Sequence, residues 1–475
     1  MGTQDAQSPG KARPRPLTEA ELARLAAMGS PHIDWLAGWV NRRFACAHCK
    51  NCTHRCEVLE QPGLDLGLVE DDYRRITGLL PEDRPAAVLG LVQERPELYQ
   101  ALRRCCFCGY CTAACAAKVW APDRMRAWRA LFMQAGLMVP DDSALVMVDK
   151  EWHIFSAYRA VYAVGYPEFA SLGDVAAQGP GQADTLFFPG CSLVSYAPEL
   201  IRAIGQWLDE SGIAWALTDE CCGSPLMSAG LFERSEALRS RLLDQIRAAG
   251  ITRVLTICPG CGEELGEVMG GEIDIMPLPE LLLAHAAEGF PGAGGAGTGA
   301  GIGTGIGAGT GTGGTGTSAD AGGFPASSLA QGLTFFDSCH DRYDRRHGRA
   351  TRRLLKACFP HAAQREMPHR GTHTLCCGAG GAVATYDADI TQRRVWRIID
   401  EARETGAGTL VTACPTCTYT IAQACLGAEA PRGIDSHHYL ELVFGEAIDW
   451  PQVFHQLEAM WTGEFGPWLT QTFFS

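Results

Sequence analysis

ITRVLTICPGC, residues 251–261, ends a short apolar run in a pair of cysteines, and AGTLVTACPTC, residues 407–417, repeats the pattern further along the chain. The pairing extends outward from both copies. TLFFPGC at 185–191 matches LTFFDSC at 333–339, DECCGSP at 219–225 matches TLCCGAG at 374–380, and DIMPLPELL at 274–282 matches DSHHYLELV at 435–443. Each CCG is followed by a helical stretch that ends in glycine, Gly250 or Gly406. A duplication running from about 184 to 288 and again from about 332 to 446 means that both copies share one fold.

Within each copy, short apolar runs (TLFF, RVLTI, TLVTA) alternate with amphipathic helical stretches such as that carrying Leu200, Ile201, Ile204, Trp207 and Leu208. This alternation predicts an α/β half-domain with a mostly parallel sheet. Ligand sites of open α/β sheets lie beyond the carboxyl ends of the strands, and the cysteines fall just after strands or at loop-to-helix turns. Five sulfurs per half can therefore converge: Cys191, Cys221, Cys222, Cys258 and Cys261 in the first, Cys339, Cys376, Cys377, Cys414 and Cys417 in the second. Five thiolates exceed the four of a tetrahedral zinc or a cubane cluster. Adjacent cysteines can supply a terminal and a bridging sulfur to one larger iron–sulfur core, with Gly223 and Gly378 letting the backbone turn closely around it. CPGC and CPTC alone resemble thioredoxin-like redox pairs, but both recur with a CCG and a lone upstream cysteine.

The N-terminal third carries a second kind of pattern. CAHCKNCTHRC places Cys46, Cys49, Cys52 and Cys56, and CCFCGYCTAAC places Cys105, Cys108, Cys111 and Cys115, so C-x2-C-x2-C-x3-C occurs twice. That run is the bacterial ferredoxin signature, in which the fourth cysteine serves the other cluster. Cys46, Cys49, Cys52 and Cys115 are thus assigned to one [4Fe-4S] cluster, and Cys105, Cys108, Cys111 and Cys56 to the second. Structural zinc sites use pairs of C-x2–4-C ligands instead. The usual proline after the fourth cysteine is replaced by Glu57 and Ala116. The 48 residues between the motifs have helical period and predict a helical ferredoxin domain. Cys106 is one sulfur too many for this scheme, Cys358 and Cys425 read as ordinary buried cysteines, and His48 and His54 as residues around the ligands or at the surface.

Composition narrows the class. With 475 residues, 46% hydrophobic and 20% charged, the chain can bury two or three cores. A net charge of -14 argues against a nucleic-acid partner, whose phosphates are met by clustered Lys and Arg. No apolar run reaches the ~18–20 residues of a membrane span, and MGTQDAQSPGKARPRP lacks the apolar core of a signal peptide. Arg42-Arg43-Phe44 is followed by Cys46 and His48 rather than by the apolar segment of a twin-arginine signal. The expectation is a cytoplasmic protein, or one held peripherally at the inner face of the membrane through a partner. There, 21 cysteines read as metal ligands or redox groups rather than disulfides.

These residues resemble the heterodisulfide reductase family, specifically the fused form in which two ferredoxin motifs precede two CCG domains, over residues 40–446 and all eighteen motif cysteines. The resemblance implies two cubane [4Fe-4S] clusters as a relay and two noncubane [4Fe-4S] clusters on the CCG cysteines, facing each other across a disulfide that is cleaved in one-electron steps. It also implies a small disulfide or thiol substrate and an external electron donor, a flavoprotein or a membrane cytochrome b-like protein, because no nucleotide or flavin fingerprint is present. Relatives of this layout also serve as non-catalytic electron-transfer subunits of membrane respiratory complexes or flavin-dependent dehydrogenases, and that reading stays open.

The family's DPCH-x-G-R pattern appears here as DSCHDRYDRRHG, residues 337–348, with Ser338 in place of proline, which bears on the loop beside Cys339. His340 is the candidate proton donor to a departing thiolate, with a structural histidine as the alternative. The expected organisation is a polar tail and lead-in helix over 1–40, a helical ferredoxin domain over 41–183, a first CCG domain over 184–290, a flexible glycine-rich linker over 291–323, and a second CCG domain with an aromatic tail over 324–475.

Overall fold

The computed structural model describes residues 46, 48–60, 63–115, 117, 119, 121–138, 140–285, 329–427 and 434–474. The expected tail over 1–40 and the linker over 291–323 lie outside them.

The N-terminal region is helical. Its main helices are α1 (Leu66–Thr77), α2 (Arg84–Glu94), α3 (Pro96–Arg103), α4 (Tyr110–Ala114) and α5 (Pro122–Gln134). Asp65 starts α1 by accepting from the Leu68 N–H at 3.0 Å, while α2, α3 and α5 carry a proline in the first turn, where its missing N–H costs nothing. Val69, Tyr73, Ile76, Leu98, Trp128 and Phe132 form the core between them, and the Trp128 indole donates to the Val69 carbonyl at 3.2 Å.

Two half-domains follow. The first runs β1 (Thr185–Phe188), α6 (Pro198–Glu210), β2 (Trp215–Leu217), α7 (Ser224–Ala229), α8 (Phe232–Ala249), β3 (Arg253–Thr256), α9 (Pro259–Met269), β4 (Asp274–Pro277) and α10 (Leu278–Ala284). The second runs β5 (Leu333–Phe336), α11 (Arg346–Cys358), β6 (Gln364–Glu366), α12 (Ala388–Glu404), β7 (Thr409–Thr412), α13 (Pro415–Leu426), β8 (Asp435–His438) and α14 (Tyr439–Phe444). Each sheet has four parallel strands, ordered β2-β1-β3-β4 and β6-β5-β7-β8. The matching order and register (Phe188 beside Thr256, Phe336 beside Thr412) are what the duplication predicts. Strands β1, β5 and β7 are buried at every residue, as parallel strands covered on both faces must be.

One apolar core joins the halves, with Phe187, Leu200 and Trp207 from the first in the same cluster as Phe335, Leu354 and Val411 from the second. The aromatic C-terminal stretch forms α15 (Trp450–Thr462) and α16 (Gly466–Phe474). It does more than close the second half. Gln456 accepts from Tyr158 at 2.5 Å through its side chain and from Tyr162 at 2.7 Å through its carbonyl, and Trp468 meets Trp152 edge-on at 5.0 Å, so it also holds the segment preceding β1.

Arg129 on α5 ties the three parts together. Almost wholly buried, it donates to the carbonyls of Ser228 (2.9 Å) and Gly381 (2.6 Å), one in each half, and to those of Arg103 (2.7 Å) and Cys105 (2.9 Å).

Candidate metal centre

The CCG turns come first, because their backbone sets the rest. Gly223 has φ +82° and Gly378 φ +85°, a left-handed conformation that glycine alone adopts without strain. Space excludes a side chain as well. A Cβ on Gly223 would lie 2.7 Å from Ser235 Oγ, and one on Gly378 would lie 2.8 Å from Thr391 Cα. In both halves a hydroxyl from the following helix ties the turn down, Ser235 to the Gly223 carbonyl (3.1 Å) and Thr391 to the Gly378 carbonyl (3.0 Å).

The C-P-x-C pairs occupy first turns of helices. Cys258 and Cys414 are the residues just before α9 and α13, each followed by proline, so Cys261 and Cys417 fall within the first turn. Of these four, Cys414 is held well below its ordinary value by hydrogen bonds from Cys258 and Cys417.

Three segments thus bring five sulfurs together in each half. In the first, Cys191 and Cys221 lie 3.8 Å apart, Cys222 reaches Cys221 and Cys261, and Cys261 reaches Cys258. In the second, Cys377 and Cys417 lie 3.3 Å apart, Cys339 reaches Cys376, and Cys414 reaches Cys417. The two sets also meet, through the side chains of Cys258 and Cys414. All ten are free thiols and seven of them are buried. Hydrogen bonds to Cys191 and Cys222, together with burial, push the Cys221 thiol well above its ordinary value, while hydrogen bonds from Cys106, Cys108 and Cys339 hold Cys376 well below. Unbridged sulfurs crowded in a buried space fit a soft, thiophilic metal centre better than a set of inert core cysteines.

The ferredoxin-type motifs stand next to the second half. Cys56 lies near Cys105 and Cys111, and Cys52 near Cys46 and Cys111. Burial pushes Cys56 up to about 11, opposed by Arg394. Cys49 is exposed and Cys115 half-buried. Cys108 touches Cys376 directly. Here the glycine run after the second CCG finds its use: a Cβ on Gly380 would come 2.6 Å from the Cys106 carbonyl, and one on Gly381 2.7 Å from that of Cys105. The two backbones pack without side chains between them. Arg342, fully buried, adds a bond from Nε to the Cys108 carbonyl at 2.8 Å, and the Tyr343 hydroxyl donates to the Gly109 carbonyl at 2.9 Å.

His340 follows Cys339, and its Nδ1 lies 2.6 Å from Glu263 Oε2 of the first half. Against the penalty of burial, this hydrogen bond and the carboxylate charge raise His340 to about 9. Gly260 of the CPGC pair leaves room for the ring, since a Cβ there would lie 3.2 Å from Cδ2. The pair lines a narrow cleft of about 10 Å³ with Phe107, Cys108, Cys339 and Tyr343. The repeat does not supply a second such pair, because Ser192 and Tyr419 stand at the corresponding positions. Ser338 accepts from the His340 N–H at 3.3 Å through its side chain, which caps the short turn 339–341.

Cys106 is no bystander by position: its sulfur lies 3.4 Å from the Gly378 carbonyl and 2.8 Å from Arg394 Nη1. Cys358 and Cys425, expected to be buried, are half-buried on helices α11 and α13. His48 pairs with Asp65 at 3.0 Å, and these two with Cys46 have ligand atoms within 4.8 Å of one another. Glu263 and Arg394 had no motif to mark them, although Arg394 stands where the first half has Leu238, a break in the repeat that flags it. Glu264 was missed too; it is buried beneath the first CCG, pairing with Arg126 (2.8 Å), with Arg239 and with Ser224 (3.1 Å).

Comparison with known proteins recognises the same duplication. The family model described as a cysteine-rich CCG domain matches residues 185–266 and 333–422, so the chain carries that domain twice. The D-type chain of the dihydromethanophenazine:CoB–CoM heterodisulfide reductase of Methanosarcina barkeri is 24% identical over 401 residues, 78% of this chain and 87% of that one. The B-type chain of the fumarate reductase (CoM/CoB) of Methanothermobacter marburgensis is 22% identical over 378 residues, 78% of this chain and 66% of the relative. An uncharacterized iron-sulfur protein of Methanococcus maripaludis is 23% identical over 240 residues, 50% of this chain and 40% of its own length. The chain therefore spans less than two thirds of the length of the last two.

Proposed function

We propose that this chain, an iron–sulfur protein with two CCG domains and related to the D-type chains of heterodisulfide reductases, is a disulfide-reducing oxidoreductase. In this reading Cys46, Cys49, Cys52 and Cys115 hold one cubane cluster and Cys105, Cys108, Cys111 and Cys56 another. The five cysteines of each CCG half hold a noncubane cluster. When bound, such clusters supply one-electron transfer.

The observation that carries the proposal is the contact of Cys258 with Cys414, which sets the two five-sulfur groups face to face, while Cys108 of the ferredoxin-type region touches Cys376. These two contacts support an electron path that runs into a two-sided sulfur site. Reduction of a disulfide to two thiols takes two electrons and two protons. An external donor, a flavoprotein or a cytochrome b-like membrane protein, supplies the electrons. His340 can deliver one proton and solvent the other: with Nδ1 donating to Glu263, the other ring nitrogen can serve a sulfur leaving beside Cys414. The relatives named as subunits of larger reductases support a partnered assembly, and no described helix is long and apolar enough to cross a membrane.

The test is reduced benzyl viologen under anaerobic conditions, followed on addition of small disulfides, the CoB–CoM heterodisulfide among them. Dye oxidation that depends on disulfide supports the reading. Fast cluster reduction with no response to any disulfide would move the chain to the electron-transfer subunits that do no chemistry of their own.

A further inference from the structure

Arg394 on α12 stands between the two kinds of cysteine set. Its Nη1 lies 2.8 Å from the sulfur of Cys106, and its Nε lies 2.5 Å from Glu57, the residue after Cys56. One end of its surroundings is ferredoxin-type, the other is the second CCG. The side chain is 13% exposed, so solvent screens its charge only weakly. Its positive charge lies within electrostatic reach of Cys56, Cys105, Cys108 and Cys376. Guanidinium stays charged at any working pH, and a fixed cation near a redox centre favours the state with the extra electron.

The first half has no equivalent. Ser235 and Thr391 make the same hydrogen bond to their CCG glycines, which places Leu238 of α8 where α12 has Arg394. Leu238 is part of an apolar core. The cation next to that first CCG is Arg239, which is committed to the Cys222 carbonyl at 2.7 Å and to buried Glu264. Among the described residues, the carboxylate paired with Arg394 is Glu57, 40% exposed, whereas Arg239 faces the buried Glu264.

We propose that Arg394 is a positioning residue for electrons, its fixed charge favouring the reduced form of the centres held at the second ferredoxin-type motif and the second CCG, so that an incoming electron settles there before it reaches the first CCG. The proposal rests on the reading that these cysteines hold iron–sulfur clusters.

The experiment is an EPR-monitored redox titration, with dithionite as reductant, of full-length wild type, Arg394→Gln, Arg394→Lys and the exposed neighbour Arg393→Gln. In Arg394→Gln one or two cluster signals should become harder to reduce, with the oxidised-to-reduced ratio at the wild-type midpoint rising about tenfold, 59 mV for one electron, and the other signals unmoved. Arg394→Lys should keep the ratio within about twofold, since the charge is retained. Arg393→Gln should match wild type. Unchanged midpoints in an iron-replete Arg394→Gln protein, or an equal shift in Arg393→Gln, would overturn the proposal. If Arg394→Gln loses iron, Arg394→Lys decides: a wild-type midpoint supports the charge, and a tenfold displacement refutes it. Wild type lacking the CCG cluster signals altogether would remove the cluster reading itself, and the proposal with it.

Discussion

The side chain of Cys258, at the start of a helix in the first half-domain, meets that of Cys414 at the start of the matching helix in the second. Each cysteine is placed by the same local device, a strand that ends two residues before a cysteine-proline step. The contact between them needs the two halves to pack through a shared core.

Removing either sulfur should therefore damage one half and spare the other. Cys258→Ala or Cys414→Ala is expected to lower iron by about 4 per chain, one four-iron cluster, and to abolish disulfide-dependent dye oxidation. Iron analysis with EPR of the remaining signals checks this. Loss of all iron from either variant would mean that the halves do not bind metal separately.

The CCG glycines should not be replaceable. Gly378→Ala puts a methyl group against backbone at Thr391 and forces alanine to a φ of +85°, a strain of about 1–3 kcal/mol before the clash is added. Gly223→Ala meets side-chain atoms first, at Ser235 and Arg239, rather than helix backbone, so it should cost less. Anaerobic thermal unfolding should rank the two in that order.

Glu263 should matter to turnover and not to electron uptake. Glu263→Gln keeps a hydrogen-bonding group opposite His340 but removes the charge. Disulfide-dependent turnover should fall roughly 10- to 100-fold, the usual loss for a partner that orients a reacting group. Reduction of the clusters by dithionite should be unchanged.

Glu264 is a stability matter. It accepts from Arg126 of the helical region and from Arg239 of the first half, both buried. Glu264→Ala leaves Arg239 buried without its carboxylate and Arg126 paired with Asp123, and should destabilise the protein by about 3–5 kcal/mol, read as a lower denaturation midpoint.

His153 gives the fold a pH dependence away from the sulfurs. It caps the helix Ile154–Val161 by accepting from the Ser156 N–H at 3.4 Å, which requires the neutral ring. Burial, and then the charge of Arg159, lower its pKa to about 4. The unfolded chain, near 6.5, takes up the proton first, so this stability is complete above pH 6.5 and is lost as pH falls towards 4. The loss should be on the order of 1–3 kcal/mol, and His153→Asn, a cap without a titrating ring, should remove it from the difference between denaturation midpoints at pH 7 and pH 5.

The repeated strand-cysteine-helix unit was legible in the sequence because its apolar runs are buried on both faces and its cysteines sit at strand ends. The edge strands were harder to see. Gln364–Glu366, three polar residues at a sheet edge, carry no apolar run, and pairing with β5 alone makes them a strand. The glycines of GAGGA answer to the CCFC backbone packed against them, a partner some 270 residues away in the chain that no local pattern reveals. Glu263 with His340 and Arg394 with Cys106 are pairs 77 and 288 residues apart, and no local pattern announces either pairing, although the repeat marks Arg394 itself by setting Leu238 in its place.

Iron and acid-labile sulfide per chain, on protein purified without oxygen, test the central claim most directly. Four clusters predict about 16 irons, both CCG sets included. About 8 irons in an intact, fully reconstituted chain would leave only the ferredoxin-type motifs filled and would contradict the account.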